Sequence, residues 1–255
     1  MSSYVGKHAE YYDIFYQDKP YGREAVHLHQ RLKKYSHGVC KRLLELACGT
    51  GGHAFELEKL GYEIIATDYS EDLLVVARRK AILANSRVNF RLQDMRKLSL
   101  AEEPFDAAYC LFDSIGYVQT NEALHKVLTG VHAHLREAGL FVFEFWHAAA
   151  MLKSFDPVRE RRWVIPQGEL VRRASTRLDV EKQLAIVTYD INQVSRNGNS
   201  GNLQETQINR YFLVQEVAAL LERAHFEPLE FSRAYEDGAI IDESTWHVLA
   251  VARRT

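Results

Sequence analysis

A glycine-rich turn between an apolar strand and a helix is the first feature of this chain that could bind a ligand. Residues 43–52 read LLELACGTGG, an apolar run that passes into Gly49 and Gly51. Glycines at such a turn let the backbone approach a ligand closely, and the free N–H groups at the start of the following helix attract an anion. The turn predicts a binding site without naming its ligand.

Two acids follow this turn at the ends of the next two predicted strands. Asp68 ends the second strand, and Asp94 lies just beyond the third. In doubly wound folds an acid at the end of the second strand hydrogen-bonds ribose hydroxyls. A carboxylate at position 94 is placed to accept a hydrogen bond from the exocyclic amine of adenine. The two acids together favour a nucleoside ligand.

Two ligand classes compete for the turn. A dinucleotide site has the pattern Gly-x-Gly-x-x-Gly, and here the third glycine position is Ala54. A nucleoside without a pyrophosphate needs no third glycine, and it accounts for Asp94. A nicotinamide-dependent oxidoreductase therefore stays as the first rival hypothesis.

The elements that must position these residues alternate between strand and helix. Helices are predicted over 25–35, 53–60 and 121–137, with another that starts after Ser70. Strands are predicted over 42–47, 62–68, 88–92, 105–112 and 140–146. This alternation predicts an α/β fold, a doubly wound, seven-stranded and mostly parallel sheet of the Rossmann-like type.

The alternation stops after Ala150. Stretches typical of β-strands lie at 163–165, 170–176, 184–194 and 205–213, and they predict an inserted small antiparallel sheet. A helix over 214–224 and two strands at 229–235 and 246–252, a hairpin at the sheet edge, complete the pattern. We predict a core of residues 1–160 and 214–255, in which 1–40 form an N-terminal lid and helix. Residues 161–213 are predicted to be an inserted substrate cap.

The composition excludes several classes of protein. The 255 residues are 47% hydrophobic and 26% charged, which excludes collagen-like and disordered chains. A formal net charge of −2 gives no global attraction to nucleic acid or to an anionic membrane surface. The three cysteines form no CxxC pair, and no apolar run is long enough to span a bilayer. With no signal-like N-terminus, the sequence predicts a cytoplasmic protein.

The longest motifs resemble the class I S-adenosylmethionine (SAM) dependent methyltransferases. The resemblance rests on LLELACGTGGHAFELEKLGYEIIATDYSEDLLVVARRK, on LQDMR and on FDAAYCLFDSIGY, within residues 40–147. The motifs YYDIFY at 11–16 and RYF at 210–212 resemble those of small-molecule N-methyltransferases, including the enzymes that dimethylate TDP-linked aminosugars. Two departures, EAG at 137–139 for Pro-Gly-Gly and AHF at 224–226 for Ala-Gly-Phe, lie away from the cofactor motifs.

This resemblance implies SAM as the cofactor. The implied binding residues are Tyr16, Ala47, Cys48, Gly49, Gly51, Asp68, Tyr69, Asp94, Met95 and Leu111. The glycine turn would hold the methionine half of SAM, and Asp68 would hold the ribose. Adenine would lie between Tyr69 and Met95, with Leu111 near the sulfonium and Tyr16 closing over the cofactor. Because residues 8–23 are rich in tyrosine, we expect them to fold over bound SAM.

The transfer step itself needs positioning above all, because the sulfonium already activates the methyl group. An amine acceptor must be neutral to attack, so a nearby base helps. Asp113 and His147, which follow the fourth and fifth predicted strands, are the predicted catalytic residues. The spacing of the histidines predicts no metal site, since His132 and His134 cannot face one ion on a helix.

The predicted function is SAM-dependent N-methylation of a small molecule, for example a nucleotide-linked aminosugar. O- or C-methylation, an RNA methyltransferase and an inactive SAM-binding scaffold are the alternatives. A basic cluster of Arg159, Arg161 and Arg162, with Arg172 and Arg173 nearby, predicts either a solvated face or contacts to an anionic group such as a nucleotide-sugar diphosphate. The expected partner is a small-molecule acceptor, with no nucleic acid and no membrane, for a monomer or a homodimer.

Overall fold

The computed structural model describes residues 6–102, 104–195 and 200–255. Residues 1–5 of the predicted lid and 196–199 of the predicted cap lie outside this range. The helices are α1 (Lys7–Phe15), α2 (Tyr21–Tyr35), α3 (Gly52–Lys59), α4 (Glu71–Ala84), α5 (Asn121–His134), α6 (Ala148–Ser154) and α7 (Val214–Arg223). No helix among the described residues is both long and apolar enough to cross a bilayer.

Seven strands form the main sheet. They are β1 (Arg42–Leu46), β2 (Glu63–Asp68), β3 (Asn89–Leu92), β4 (Phe105–Cys110), β5 (Leu135–Trp146), β10 (Phe226–Arg233) and β11 (His247–Arg254), in the order β10-β11-β5-β4-β1-β2-β3. The first five strands pair in parallel, and β11 runs antiparallel to both β5 and β10. This confirms the predicted doubly wound, mostly parallel sheet.

The antiparallel pairing of β11 matters for the site. In a parallel sheet the carboxyl ends of the strands share one edge, and ligands of such folds bind there. Because β11 runs the opposite way, its first residue lies at that same edge, where His247 pairs with Trp146 at the end of β5. The end of β10 lies there too, since Arg233 pairs with Val248.

A second sheet of four antiparallel strands lies between β5 and the last strands in the chain. Its strands are β6 (Val158–Ile165), β7 (Gly168–Asp179), β8 (Leu184–Ser195) and β9 (Ser200–Arg210), in sequential order. The predicted antiparallel insertion is thus confirmed as a sheet, although it starts at 158 and ends at 210. We call it the cap sheet.

Apolar side chains fill both faces of the main sheet. The stacked rings of Phe141 and Phe143 pack under α5 and α7 on one face. Leu28 of α2 and Leu74 of α4 pack on the other face. A separate cluster joins α1 to the cap sheet, where Phe15 lies 4.9 Å from Trp163 between ring centroids. The N-terminal helix therefore bridges the two sheets.

Several predicted elements have different bounds in the structure. The helix predicted over 121–137 ends at His134, because the chain from Leu135 joins β5 and pairs with β4. The strand predicted over 205–213 ends at Arg210, although Phe212 still makes a bridge to His147. Helix α6 was not predicted, since its seven residues are too few to show a period.

Candidate active site

A cleft of about 1620 Å³ opens at the carboxyl edge of the main sheet, between this edge, the N-terminal segment and the cap sheet. Ligand pockets commonly measure roughly 300–1,000 Å³. The cleft therefore has room for a nucleoside cofactor and a second molecule together. Eight of the predicted site residues line it: Tyr16, Ala47, Gly49, Asp68, Tyr69, Asp94, Met95 and Asp113.

The glycine loop, residues 47–51, joins β1 to α3 in a left-handed conformation. Ala47, Gly49 and Gly51 have φ angles of 54°, 56° and 84°. A Cβ atom on Gly51 would come within 2.7 Å of the Phe90 ring, so only glycine fits there. Gly51 is also the N-cap residue that directly precedes α3. Glycine thus lets the loop turn tightly enough to present its backbone to the cleft.

Asp68 supports this loop as well as lining the cleft. One carboxylate oxygen accepts a hydrogen bond from the Gly49 N–H at 2.8 Å, and the other accepts one from Ser70, also at 2.8 Å. Burial raises the pKa of Asp68, and these backbone N–H groups partly offset that rise. The carboxylate therefore connects the glycine loop to the start of α4.

The predicted adenine subsite lies at the ends of β2 and β3. Tyr69 is 40% exposed and lines the cleft, as does the half-buried Met95. Asp94 does not stand free, because the Arg96 guanidinium binds its carboxylate at 2.6 Å and lowers its pKa. An adenine amine at Asp94 would share this carboxylate with Arg96.

Aromatic residues of α1 cover the glycine loop. The Tyr12 hydroxyl would lie 3.4 Å from a Cβ on Gly49, and the tyrosine side chain is buried. Tyr16 packs edge-on against Phe112, with 5.0 Å between the ring centroids. Tyr12 therefore contacts the loop from α1, as does Asp13, which accepts a hydrogen bond from the Thr50 hydroxyl at 2.6 Å. Of the two tyrosines, only Tyr16, which directly follows α1, was in the predicted cofactor set.

Three residues predicted to bind the cofactor are not among those that line the cleft. The Leu111 side chain is buried in the core, and the next residue, Phe112, lines the cleft instead. Cys48 is 7% exposed, and burial raises the pKa of its thiol well above the usual range. Gly51 shapes the loop from behind, against Phe90. The side chains of Leu111 and Cys48 are thus buried beside the cleft, and Gly51, which has no side chain, shapes the loop.

Beyond β4 the chain passes through an unusual turn. Phe112 and Asp113 are both left-handed, with φ angles of 57° and 54°, although neither is glycine. Such conformations cost about 1–3 kcal/mol each, and they cluster at functional sites. The turn buries Asp113 to 2% exposure while keeping it in the lining of the cleft.

The Asp113 carboxylate belongs to a group of three ionisable side chains, which we call the acid–histidine cluster: Asp113, Glu144 and His247. His247 Nδ1 lies 2.9 Å from Asp113 Oδ2 and 3.0 Å from Glu144 Oε1. Glu144 also accepts hydrogen bonds from the Phe112 N–H at 3.0 Å and the Tyr235 hydroxyl at 2.6 Å. Both carboxylates are 2% exposed, so the half-exposed imidazole supplies their neutralising charge.

His147, the second predicted catalytic residue, lies elsewhere. It is 7% exposed, its Nδ1 lies 3.2 Å from the Thr245 carbonyl oxygen, and it is not among the residues that line the cleft. The structure therefore places His147 at the start of α6, outside the lining of the cleft, and places His247 in that lining. An antiparallel last strand that starts with His247 was the sequence signal for it, because such a strand starts at the ligand edge.

The acid–histidine cluster also bears on the expectation of no metal site. Its three side chains offer ligand atoms within 4.8 Å of one another. Here the Nδ1–H of His247 occupies the space between the two carboxylates. That the protein binds no metal ion at these side chains stays a prediction.

The cap sheet presents arginines to the cleft. Arg159 and Arg161 of β6 and Arg172 of β7 line it, and Arg161 pairs with Arg172 across the two strands. Arg172 is 9% exposed, with its guanidinium carbon 4.5 Å from the Phe15 ring centroid and 5.1 Å from that of Trp163. Within the described part of the chain, no ion pair joins any of these three arginines to a carboxylate.

Comparisons with known proteins agree with this geometry. A family described as "Methyltransferase domain" matches residues 43–139. The chain is 34% identical over 148 residues to the dTDP-3-amino-3,6-dideoxy-alpha-D-glucopyranose N,N-dimethyltransferase of Streptomyces fradiae, covering 57% of this chain and 56% of that one. It is 29% identical over 136 residues to a putative methyltransferase of Geobacillus, covering 53% and 55%. These alignments span little more than half the length of either relative.

Solved structures share the fold over nearly the whole chain. The crystal structure of a S-adenosylmethionine-dependent methyltransferase from Clostridium acetobutylicum superposes with a TM-score of 0.81 at 19% identity, covering 96% of both chains. At that identity the likeness establishes the fold. The matched family adds that residues 43–139, which include the glycine loop, are similar to a methyltransferase domain.

Proposed function

We propose that this chain transfers a methyl group from SAM to the amine of a small anionic molecule, with a nucleotide-linked aminosugar as the acceptor. One observation carries the proposal: a single cleft contains the glycine loop of the methyltransferase domain and, farther along the same sheet edge, the buried carboxylate of Asp113. The enzymatic activity, the cofactor and the acceptor of the whole chain are all part of this proposal.

The residues present fit SAM on structural grounds. The glycine loop leaves no room for a Cβ at Gly51, and the Gly49 and Ala47 backbone faces the cleft. Asp68 offers carboxylate oxygens to ribose hydroxyls, and Tyr69 and Met95 offer flat and polarizable surfaces to adenine. Bound SAM supplies a methyl group that its sulfonium has already activated. The remaining task of the protein is to orient the acceptor and handle its proton.

The charge of the acid–histidine cluster favours an amine over other acceptors. Two carboxylates and one imidazolium carry a net charge of −1. An O- or C-acceptor attacks as an oxyanion or a carbanion, which this cluster would repel. An amine acceptor binds as a cationic ammonium, and the net negative cluster attracts it. Asp113, the carboxylate that lines the cleft, is our proposed acceptor of the amine proton.

The arginines of the cap sheet favour an acceptor with an anionic part. Arg159 and Arg161 face the cleft without a carboxylate partner among the described residues, and guanidinium groups bind phosphates in a bidentate manner. Relatives from Streptomyces act on dTDP-linked aminosugars, as their names state. These observations support a nucleotide diphosphate as the anionic part of the acceptor.

The test incubates the protein with methyl-labelled SAM and dTDP-3-amino-3,6-dideoxy-α-D-glucose. Two matched controls are the same nucleotide sugar with a hydroxyl in place of the amine, and the aminosugar without its nucleotide. We expect label in the aminosugar nucleotide, none in the hydroxyl analogue and much less in the free aminosugar. Label in the hydroxyl analogue would overturn N-transfer. Tight SAM binding with no label in any of the three would favour a different acceptor or an inactive scaffold.

A further inference from the structure

The two carboxylates of the acid–histidine cluster differ in the hydrogen-bond partners that they have besides His247. Oε2 of Glu144 is held by the Phe112 N–H and by the Tyr235 hydroxyl, and Glu144 is not among the residues that line the cleft. Within the described chain, His247 is the side chain that binds the Asp113 carboxylate, and Asp113 lines the cleft. Asp113 is therefore the member of the pair that can take up a proton from a ligand.

The charged groups around Asp113 come from several elements. Glu144 lies on β5, His247 on β11 and Tyr235 after β10, while Lys19 lies between α1 and α2. Lys19 packs over the Phe112 ring at 4.0 Å, and its ammonium group binds Glu24 at 2.7 Å. Because Glu24 neutralises Lys19 directly, His247 is the cation in direct contact with Asp113. The buried Cys110 thiol before this turn is uncharged, because burial raises its pKa far above neutral.

These contacts set the protonation of the cluster. The charge of Asp113 raises the pKa of His247 to about 11, against the opposing effect of burial. Burial raises the pKa of Asp113 to about 6; the charge of His247 limits that rise, and the charge of Glu144 adds to it. Burial also acts to raise the pKa of Glu144, but His247 and Tyr235 bring it below its usual range. At neutral pH the cluster holds one proton, on His247, and takes up the next near pH 6.

We propose that His247 is a positioning residue: an imidazolium held between both carboxylates that keeps Asp113 ionised and oriented to receive the amine proton. This inference rests on the proposed function and adds to it the residue on which the proton acceptor depends. His247 itself cannot be that acceptor, because its imidazole already carries the proton that the two carboxylates demand.

The proton and electron balance is simple. The acceptor enters as an ammonium, its N–H bond breaks, and the proton bonds to a carboxylate oxygen of Asp113. The electron pair left on nitrogen forms the new N–C bond to the methyl group of the donor, whose S–C electron pair stays on sulfur. Asp113 then returns its proton to water through the open side of the cleft.

The first experiment needs no acceptor. In ¹⁵N-histidine-labelled protein, the ring resonances of His247 are followed from pH 5 to 10 and assigned with His247→Gln; His125→Gln, on the exposed face of α5, is the control. We expect His247 to remain an imidazolium up to pH 10 in the wild-type protein, and we expect Asp113→Asn to bring its midpoint below pH 10. A wild-type midpoint near pH 6.5 would overturn the proposal that both carboxylates hold His247 as an imidazolium, whichever acceptor the enzyme methylates.

The second experiment uses the aminosugar nucleotide and the pH dependence of kcat/KM. We expect a bell-shaped pH profile of kcat/KM. Its acid limb should lie near pH 6 and report the protonation of Asp113, and its alkaline limb should report the deprotonation of the acceptor ammonium. His247→Gln removes the cation that contacts both buried carboxylates, so the acid limb should move up by at least one pH unit. His125→Gln should leave the profile unchanged. A reduced rate with an unmoved acid limb would mean that His247 is structural only, and the proposal would be wrong.

A metal-ion test completes the design. The wild-type rate is measured after EDTA treatment and again after addition of Mg²⁺, Mn²⁺ or Zn²⁺. We expect no loss and no gain, because the His247 proton fills the position that a cation would take. If EDTA abolishes the activity and one of these ions restores it, a metal ion rather than the imidazolium lies between the carboxylates, and the proposal is overturned. If no aminosugar nucleotide is methylated at all, the proposed function fails. The histidine titration still tests whether His247 is an imidazolium held by both carboxylates.

Discussion

The proposed cofactor half of the cleft, around residues 47–51 and Asp68, and the proposed acceptor half, around Asp113, are built in opposite ways. The proposed cofactor half uses backbone: a loop of five residues, three of which have left-handed φ angles, and an acid nineteen residues from Gly49 that accepts a hydrogen bond from its N–H. The acceptor half uses side chains from distant parts of the chain. His247 lies 134 residues from the aspartate that it contacts, and Tyr235 lies 91 residues from Glu144. The first half depends on local conformation, and the second depends on correct folding of the whole sheet.

The two halves also differ in how carboxylates are neutralised. Asp68 is stabilised by backbone N–H groups, and Asp94 is paired with an arginine two residues away. Asp113 and Glu144 face each other across a single imidazole. Substitutions in the cofactor half should therefore change binding, whereas those in the acceptor half should change turnover and its pH dependence.

The largest expected effect is on turnover, from Asp113→Asn. The amide cannot take the amine proton, so we expect kcat to fall by about 10²–10⁴-fold. The affinity for SAM, measured by calorimetry, should stay within about twofold, because the change lies outside the cofactor half. A parallel loss of SAM affinity would contradict the division of the cleft into two halves.

The next largest effect should come from Gly51→Ala. The new Cβ meets the Phe90 ring at 2.7 Å in a residue with φ of 84°, so the loop must move. We expect a loss of about 1–3 kcal/mol in SAM binding, roughly 5- to 150-fold in Kd. The matched control is Gly61→Ala, where φ is 94° but nothing lies within 4 Å. It should lower the thermal midpoint and leave SAM affinity intact; equal losses in both variants would count against a specific role of Gly51.

A similar or smaller effect is expected for Asp68→Ala. Loss of the carboxylate leaves the Gly49 N–H and the ribose hydroxyls without an acceptor, at a cost of about 1–3 kcal/mol in SAM binding. Calorimetry with SAM and with NAD should be run on both proteins. Tight binding of NAD and none of SAM by the wild-type protein would show that the nucleoside interpretation was mistaken.

The smallest effect concerns residues 8–23. Tyr12 and Tyr16 already pack over the glycine loop and Phe112, so bound SAM should add modest protection to this segment. We expect slower amide exchange there when SAM is present and no change in β10, at the far edge of the sheet. Equal exchange with and without SAM would rule out a lid that responds to the cofactor.

The glycine loop, Asp68, the alternation of strands and helices, and the antiparallel insertion follow from the sequence alone. Each depends on residues close together in the chain, where turn chemistry, apolar period and helix start are local properties. Asp113 could also be selected as a candidate site residue from the sequence, since it directly follows a predicted strand. The family resemblance added the cofactor and the chemistry of transfer.

Only the tertiary structure determined which side chains contact Asp113. His147 and His247 both lie at the ligand edge of the sheet, and sequence reasoning chose the one that follows a parallel strand. Pairing of β11 against β5 brings His247 to Asp113, while His147 turns toward the Thr245 carbonyl. Which side chains meet across a sheet depends on strand order, direction and register, and these follow from packing of the whole chain rather than from any local pattern.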